Sequence, residues 1–529
     1  MSQQYDVIAV GGGHNGLVAA AYLAKQRLKV LVLERRDIVG GACVTEEPFP
    51  GYKVSTVSYV CSMFLPQIVQ ELKLKEFGFE IYPLEATFIP FPDGKHLFLW
   101  GDAHKTAQEI EKFSPRDAKA YLEFVQFLAR VTKFIEPLLL KPSPSLTSNN
   151  LINLANLLRL AVRFRRQKEE DIFQEIKMMT MSIKDFLDER FESEEVKAAL
   201  AAEALVGAYG GPTTPGTAYL MVHYSLGAGE WGYVKGGVGA ITQALAQAAQ
   251  QLGATIRTGA EVEHIIVKNG IAKGVVLTNG EEIMARVIAS NADPKRTFLK
   301  LIGHQHLDEN FVQEVKNIKM RDNAVKVNCA LSELPDFKAY LGKQPEPQYK
   351  GRFRIIPSLE YMEKAWDDAK YGRPSQRPFL SCAIPTMVEP SLAPPGKHIL
   401  ILLAQYVPYH LRGTTWDEIR DDFGDRVIDT LAEYAPNVKS AIIDRQILTP
   451  LDFEERYYLT EGTIFHGEMS LDRLFFMRPM PGWANYRTPI NNLYLCGSGT
   501  HPGGGIMGAP GYNAAHRIIK DWKWRRLKR

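Results

Sequence analysis

The sequence predicts an α/β protein, α+β overall, in which a parallel-sheet domain assembled from separated stretches of chain carries an inserted, mixed α/β domain. Three observations predict it. Residues 5–34 read as strand, glycine cluster, helix and strand; residues 487–511 read as strand, glycine-dense turn and helix start; and residues 262–285 read as an antiparallel meander. Strand, helix, strand within about 30 residues is the βαβ unit, which builds parallel sheets. At 529 residues the chain exceeds what one compact core accommodates, so at least two domains are expected.

Each element follows from local pattern. Tyr5–Val10 is a short apolar run, Leu17, Ala20, Ala21, Leu23 and Ala24 recur at helical spacing, and Lys29–Glu34 is a second apolar run. Between about 105 and 210 the pattern is helical, broken once at Pro142, Ser143, Pro144 and Ser145. Val262–Val267, Ile271–Leu277 and Glu282–Ala285 are separated by Asn269-Gly270 and Asn279-Gly280, two strong hairpin signals. Arg286–Ser290 reads as a strand returning to the parallel sheet. Farther on, strands are expected near 324–331, 379–384, 398–406 and 487–496, and a helix near 417–433, with a Pro-rich loop at 389–396.

Composition narrows the function. Hydrophobic residues make up 45% and charged residues 23%, and the formal charge of +3 gives no reason to invoke nucleic acid. No apolar run reaches about 18 residues, and the first residues carry no signal-peptide pattern, so a cytoplasmic location is expected, with or without membrane association. The five cysteines are scattered, without CxxC or a Cys/His cluster of zinc spacing, which suits reduced thiols and offers no metal site.

The chemistry sits in the glycine loops. Gly11-Gly12-Gly13-His14-Asn15-Gly16 contains G-x-G-x-x-G, follows a strand and opens a helix. In that context Gly11 allows the tight turn, Gly13 the approach of backbone to a pyrophosphate, and Gly16 close helix–strand packing; the helix N-terminus faces the phosphate charge. Glu34 ends the second strand, where a carboxylate can bond a ribose hydroxyl and would repel a 2′-phosphate. Arg35-Arg36-Asp37-Ile38-Val39-Gly40-Gly41-Ala42 adds a second glycine pair close behind, and Gly497-Ser498-Gly499-Thr500-His501-Pro502-Gly503-Gly504-Gly505 adds a third cradle from the other end of the chain, closing at Gly508. One nucleotide contacted from both ends points to FAD in an extended pose. Gly236-Gly237-Val238-Gly239 lacks the spacing for a separate NAD site.

Three segments carry a family resemblance: G-G-G-H-N-G-L-V-A-A-A-Y-L with E-R-R-D-I-V-G-G-A, the central Lys235-Gly-Gly-Val-Gly-Ala with Val262 and Ser290-Asn-Ala-Asp-Pro294, and L-Y-L-C-G-S-G-T-H-P-G-G-G. They resemble the carotenoid/retinoid oxidoreductases, the phytoene desaturases and flavin-type β-carotene ketolases. The resemblance implies a Rossmann-type FAD domain formed by residues 1–80, 215–295 and 485–529, and a substrate domain formed by 81–214 (helical) and 296–484 (mixed). It implies a FAD-dependent oxidoreductase passing a hydride or electrons from an apolar, isoprenoid-like substrate to the flavin. Gly11, Gly13 and Gly16, with His14 and Asn15, would hold the pyrophosphate; Glu34 and Arg35 would lie at the ribose; Gly40, Gly41 and Ala42 would pass the cofactor; the Val262 backbone would meet the adenine. Gly497, Ser498, Gly499, Thr500 and Gly508 would line the ribityl chain and ring. Many related flavoproteins place an acid in this last loop; here Ser498 or backbone amides must serve.

Further candidates are open to two readings each. His501 is a candidate catalytic group or a structural histidine; Cys43 lies near the cofactor loops without a base and reads as inert. Leu151–Arg166 places Asn153, Asn156, Arg159, Arg163 and Arg166 on one helical face, and reads as an interfacial helix or as one packed on the substrate domain. The basic tail Asp521–Arg529, with Trp522 and Trp524, reads as a frayed terminus or a surface-binding segment. No basic or acidic cluster accompanies the glycine loops in sequence, so an apolar tunnel lined mainly by residues of 105–210 and 296–480 is expected. The alternatives are a flavin-dependent amine oxidase and a flavin-binding scaffold without turnover; oligomeric state is left open.

Overall fold

The computed structural model describes residues 4–144, 150–226, 231–341 and 347–527. Met1–Gln3, Ser145 of the helix break, and Lys528–Arg529 of the basic tail lie outside them.

Two seven-stranded sheets carry the architecture. The first runs in the order 262–268, 271–277, 282–290, 5–10, 30–33, 255–257, with Leu493–Leu495 against the end of 282–290. Its centre is Glu282–Ser290, a single nine-residue strand where sequence suggested two. Its first part pairs antiparallel with Ile271–Leu277, and residues 285–290 pair parallel with Tyr5–Val10. One continuous strand therefore joins meander to parallel sheet, because Met284 and Ala285 keep the extended alternation through the handover. The helix His14–Lys25 covers this sheet; ten of its residues are buried, matching its near-continuous apolar sequence.

The second sheet runs 442–448, 325–331, 398–405, 379–383, 352–355, 86–90, 96–100. The period-2 alternation of Val325, Val327 and Cys329 sends these side chains into a core with Leu400, Leu402, Leu380, Cys382, Phe353 and Ile355. The helix Trp416–Ala432, started by a capping box of Thr415 and Glu418, closes that core with Trp416, Phe423, Val427 and Leu431. The opposite face carries the intervening residues, several of them charged.

The 105–210 region is helical as expected. Its longest helix, Pro115–Leu139, is capped by Ser114 and buries Tyr121, Phe124, Phe127, Val131 and Ile135 at spacings of three and four. Two expectations need correction. The strand expected over 487–496 shrinks to Leu493–Leu495, because Pro489 cannot donate to a ladder and Asn492 turns into the left-handed region at φ 67°. The basic tail does not fray within the described residues: Ala509–Leu527 is helical, and Asp521 accepts from Arg487 (2.6 and 2.8 Å) and the Tyr494 hydroxyl (2.8 Å).

Candidate functional site

The first glycine loop is built to receive an anion. The helix His14–Lys25 is N-capped by Gly13 with no side-chain acceptor, and its first turn carries no acid, so its leading N–H groups remain for a ligand. A Cβ on Gly16 would lie 2.2 Å from the Gly11 carbonyl oxygen, a backbone collision that only glycine avoids. Glu34 is buried, and its carboxylate accepts from the Gly12 N–H at 2.8 Å and the Arg36 N–H at 2.9 Å. Gly40, at φ +135°, donates to the Gly12 carbonyl at 3.0 Å, bringing the second glycine pair alongside the first. Ala260 and Gly259 donate to the carbonyls of Glu34 and Arg36, which sets Val262 close by.

The third loop joins the same place. Cys496 donates to the Ser290 carbonyl (2.8 Å), and the Asn15 amide donates to the Ser498 hydroxyl (3.1 Å) across 483 residues of chain. Gly497 and Gly499 allow close approach to Asn291 and Pro294, Thr500 bonds the Gly497 carbonyl (2.9 Å), and Gly508 precedes the last helix at φ +75°. Beneath the loop, Arg478 donates to five carbonyls, among them Ser498 at 2.8 and 3.0 Å. Burial draws this guanidinium down to about 10. Sequence reasoning missed Arg478 and Asn291. Asn291 follows strand 282–290 and donates its N–H to the Val10 carbonyl at 2.8 Å, with its side chain packed among Gly11, Gly13 and Gly16. The expected Ser-Asn-Ala-Asp-Pro segment held that signal; nothing local marked Arg478.

The loops border a cavity of 150 Å³. His14, Ala42, Ser498 and Gly505 form one wall; Tyr59, Tyr224, Trp231 and Phe465 flank it. Burial lowers His14 to about 4, assisted by His466 and opposed by the Gly505 backbone, so it is neutral at pH 7. His14 Nε2 and Asn15 Oδ1 are buried and find no partner among the described residues. The far wall is the charged face of the second sheet: Arg352, Arg354 and Ser381, with Glu203 reaching in. Glu203 accepts from both guanidiniums, at 2.9 Å from Arg354. Burial works to raise its carboxyl, and the Arg352 and Arg354 charges override that and hold it low. Behind them Lys326 is pushed well below its usual value by burial and lies 4.2 Å from the Tyr59 ring centroid. These groups add a charged patch to an otherwise largely apolar lining: the charges come from strand 352–355, far from the glycine loops in sequence, and reach them only through the sheet.

The remaining candidates are placed elsewhere. Arg35 stacks 4.0 Å from the Tyr458 ring centroid and donates to the carbonyls of Glu455 (3.3 Å) and Arg456 (2.5 Å), so it is engaged with the end of helix Pro450–Tyr457. The Cys43 thiol faces the Val238 carbonyl at 3.3 Å, and burial pushes it well above its usual value, leaving an unreactive thiol. His501 lines a second, larger cavity of 1100 Å³ between the helices 115–139 and 151–165, and its Nε2 meets the Leu138 carbonyl at 3.0 Å. Helix Leu151–Arg165 turns a mixed face inward. Asn153, Asn156, Arg159 and Arg163 line that cavity together with Leu157, Leu160 and Phe164, whereas Leu151, Leu154, Leu158 and Val162 face solvent, Leu151 being 82% exposed.

A parallel sheet with a glycine cradle, an uncapped helix start and a buried acid at the second strand's end defines a dinucleotide-binding oxidoreductase fold. Residues 16–322 match the flavin-containing amine oxidoreductases, and the chain belongs to that family. It is 39% identical to mouse pyridine nucleotide-disulfide oxidoreductase domain-containing protein 2, with 99% of this chain and 94% of the relative covered. It is 27% identical to the lycopene-forming phytoene desaturase of Pseudescherichia vulneris, covering 97% and 99%. Among solved structures, an oxidoreductase from Methanosarcina mazei superposes with a TM-score of 0.62 at 16% identity, covering 98% and 100%. The cofactor is FAD. The cradle fits it: glycines where a Cβ would collide, free helix N–H groups, and unpartnered buried atoms on His14 and Asn15 in the first turn of that helix.

Two outcomes follow. Gly16→Ala should lower FAD retained through purification at least ~10-fold, read from flavin released on denaturation, because the Gly11 carbonyl must move; equal retention would place the pyrophosphate elsewhere. His501 is drawn down to about 4 by burial, partly opposed by the Leu138 carbonyl. Its folded value lies below the unfolded one, so its contribution to stability is present above pH 6.5 and is lost as pH falls toward 4. A His501→Gln variant should therefore show a shallower loss of stability between pH 6.5 and 4, by about 1.4 kcal/mol per pH unit at the steepest point. Denaturant titrations across that range check it, and an unchanged slope would contradict a neutral buried His501.

Proposed function

We propose that this FAD-dependent oxidoreductase oxidises a largely apolar, isoprenoid-like substrate in the 150 Å³ cavity beside His14 and Ser498. The observation that carries this reading is the charge of the far wall. Two guanidiniums face one carboxylate, and that carboxylate is committed to both. An ammonium substrate would meet a net positive wall and repulsion in a medium of low dielectric. The aromatic residues do not offset this, since the Trp231 ring already receives Arg352, 4.1 Å from its centroid. The likeness to a phytoene desaturase supports an isoprenoid chain.

The flavin supplies, when bound, the acceptor for a hydride or a pair of electrons. The chain's residues bind and orient around it. The uncapped helix start receives the pyrophosphate, and Glu34 stands at the ribose. Gly40, Gly41, Ala42 and the Gly497–Thr500 turn line the cofactor, and Tyr59, Tyr224 and Phe465 exclude water from the reacting end. Neutral His14 offers Nε2 to the cavity without bringing a charge.

We also propose that the solvent-facing side of helix 151–165 rests on an anionic lipid surface, from which an apolar substrate would be drawn. Leu151, Leu154, Leu158 and Val162 form one exposed stripe, flanked by exposed Arg165 and Arg166. No helix among the described residues is long and apolar enough to cross a membrane, so the contact would be peripheral.

Anaerobic mixing of the oxidised protein with carotenoids, retinoids and amines tests the substrate class. Loss of the flavin's visible absorbance with an isoprenoid is expected. Bleaching by an amine alone would establish the amine-oxidase alternative, and bleaching by none would favour the scaffold. For the lipid surface, flotation with phosphatidylserine vesicles should carry the protein at low salt. Leu154→Ser with Leu158→Ser should abolish it, and Arg165→Ser with Arg166→Ser should weaken it, at about 1 kcal/mol per charge. No flotation of the unaltered protein at low salt would overturn the proposal.

A further inference from the structure

One row of cross-strand partners in the second sheet runs Lys326, Leu403, Ser381, Arg354, and the next runs Asn328, Ile401, Ala383, Arg352. Side chains two apart on one strand share a face, so Lys326, Ser381, Arg352 and Arg354 all lie on the side away from the sheet's apolar core. Of these, Arg352, Arg354 and Ser381 line the cavity that also contains His14 and Ser498.

The four are not equally satisfied. Arg352 donates Nε to the Thr87 hydroxyl (2.9 Å) and Nη2 to Glu203, and its guanidinium lies over Trp231. Lys326 donates to the Val57 carbonyl. Arg354 gives only Nη2 to Glu203; its Nε and Nη1 are buried and find no partner among the described residues. Beside it, the Ser381 hydroxyl is likewise buried and unpartnered. Arg354 is 2% exposed and Ser381 3%. Buried guanidinium donors without acceptors are costly, and native structures rarely leave them so. An unpaired N–H of this guanidinium and an adjacent unpaired hydroxyl, with one positive charge in excess over Glu203, have the donor pattern that the two oxygens of a carboxylate satisfy, one on each group.

We propose that Arg354 and Ser381 form an anion subsite of the flavin cavity, and that the substrate carries a carboxylate at the end of its apolar chain. This rests on the reading of the cavity as the oxidation site and narrows it: the substrate is an amphiphilic acid. The carboxylate anchors at Arg354 and Ser381, and the chain extends between Tyr59, Tyr224 and Phe465 toward the wall of His14 and Ser498. Glu203 holds Arg352 and Arg354 in place and, being doubly engaged, leaves the excess charge to the ligand. Arg354 and Ser381 are specificity-determining groups, remote from the bond that is oxidised.

The test uses the FAD-loaded protein and three probes of equal chain length: octanoate, methyl octanoate and octylamine. Each is titrated while the flavin's visible spectrum and the heat of binding are followed. Octanoate should bind at least 10-fold more tightly than the ester or the amine, since a hydrogen bond to a charged group is worth about one to two orders of magnitude in affinity. Arg354→Met should remove that preference while leaving ester binding unchanged. Ser381→Ala, which removes a hydroxyl without a protein partner, should fold as well as the parent and weaken octanoate alone by about 3- to 10-fold. That second variant guards against a folding defect in the first, and a merely structural Ser381 would leave the carboxylate preference untouched. Equal affinity for acid and ester, tighter binding of the amine, or binding of none of the three by flavin-loaded protein overturns the subsite. A purified protein that retains no FAD would instead overturn the reading of the cavity on which the subsite rests.

Discussion

Both glycine loops hang from the end of one strand, and the site depends on that arrangement. At the C-terminal end of Glu282–Ser290, Asn291 donates its N–H to the Val10 carbonyl, and the Ser290 carbonyl accepts from Cys496. The first bond fixes where Gly11–Gly16 begins; the second fixes where Gly497–Gly505 begins. Ligands of open parallel sheets bind outside the carboxyl ends of the strands. Here the first, middle and last parts of the chain converge at such an edge, and the Asn15 to Ser498 hydrogen bond closes the seam between them. The loops tolerate no free movement: Gly16 against the Gly11 carbonyl and Gly497 against the Asn291 carbonyl leave no room for a Cβ. Cofactor geometry is thereby a property of the sheet, and the loops inherit its rigidity.

The second sheet works by contrast of faces. One face is a close-packed apolar core under the helix Trp416–Ala432, and the other presents cations to the cavity. That division needs only period-2 alternation, yet it has two consequences. The core anchors the strands, so the charged side chains stand on backbone that does not yield. The charges in turn face a low-dielectric space, where each is worth more than at a surface and each unpaired donor costs more. Glu203 offsets part of this from a different element, the turn after helix Glu194–Ala201. The wall is consequently positive.

How much of this was legible depends on the range over which each signal acts. The cradle was readable because its parts are neighbours in sequence: Gly11, Gly13, Gly16 and Glu34 fall within one βαβ unit, and the turn chemistry of Asn269-Gly270 and Asn279-Gly280 is local too. Arg352, Arg354, Ser381 and Glu203 were not singled out, because the Arg-Phe-Arg-Ile alternation covers only four residues and its partners lie about 150 residues upstream. Arg478 escaped for a different reason: its five acceptors are carbonyls, and a carbonyl leaves no mark in side-chain identity. The strand expected over 487–496 was overextended because apolar character alone does not report the missing donor of Pro489.

Helix Leu151–Arg165 shows a further limit, and its resolution is physical. Hydrophobic periodicity identifies two faces but does not say which one meets the protein. The usual assumption puts the leucines inward. Here the inward face meets a cavity of 1100 Å³ whose wall already carries His501, Arg487 and Arg517, and Arg163 donates to the Lys133 carbonyl at 2.7 Å across it. Leu157, Leu160 and Phe164 share that inward side, Phe164 lying 6.1 Å from Phe134 between ring centroids, and rotating the helix to bury the outer leucines would expose these three. Leaving four large aliphatic side chains in water forgoes about 1.5–3 kcal/mol for each that burial would have supplied. The Arg163 bond to the Lys133 carbonyl and the Phe164–Phe134 contact hold that orientation from the inner side. Phe173 and Ile176 of the next helix are exposed as well, at 58% and 50%, so two consecutive helices each leave large apolar side chains uncovered within the chain, a cost that periodicity read from sequence does not register.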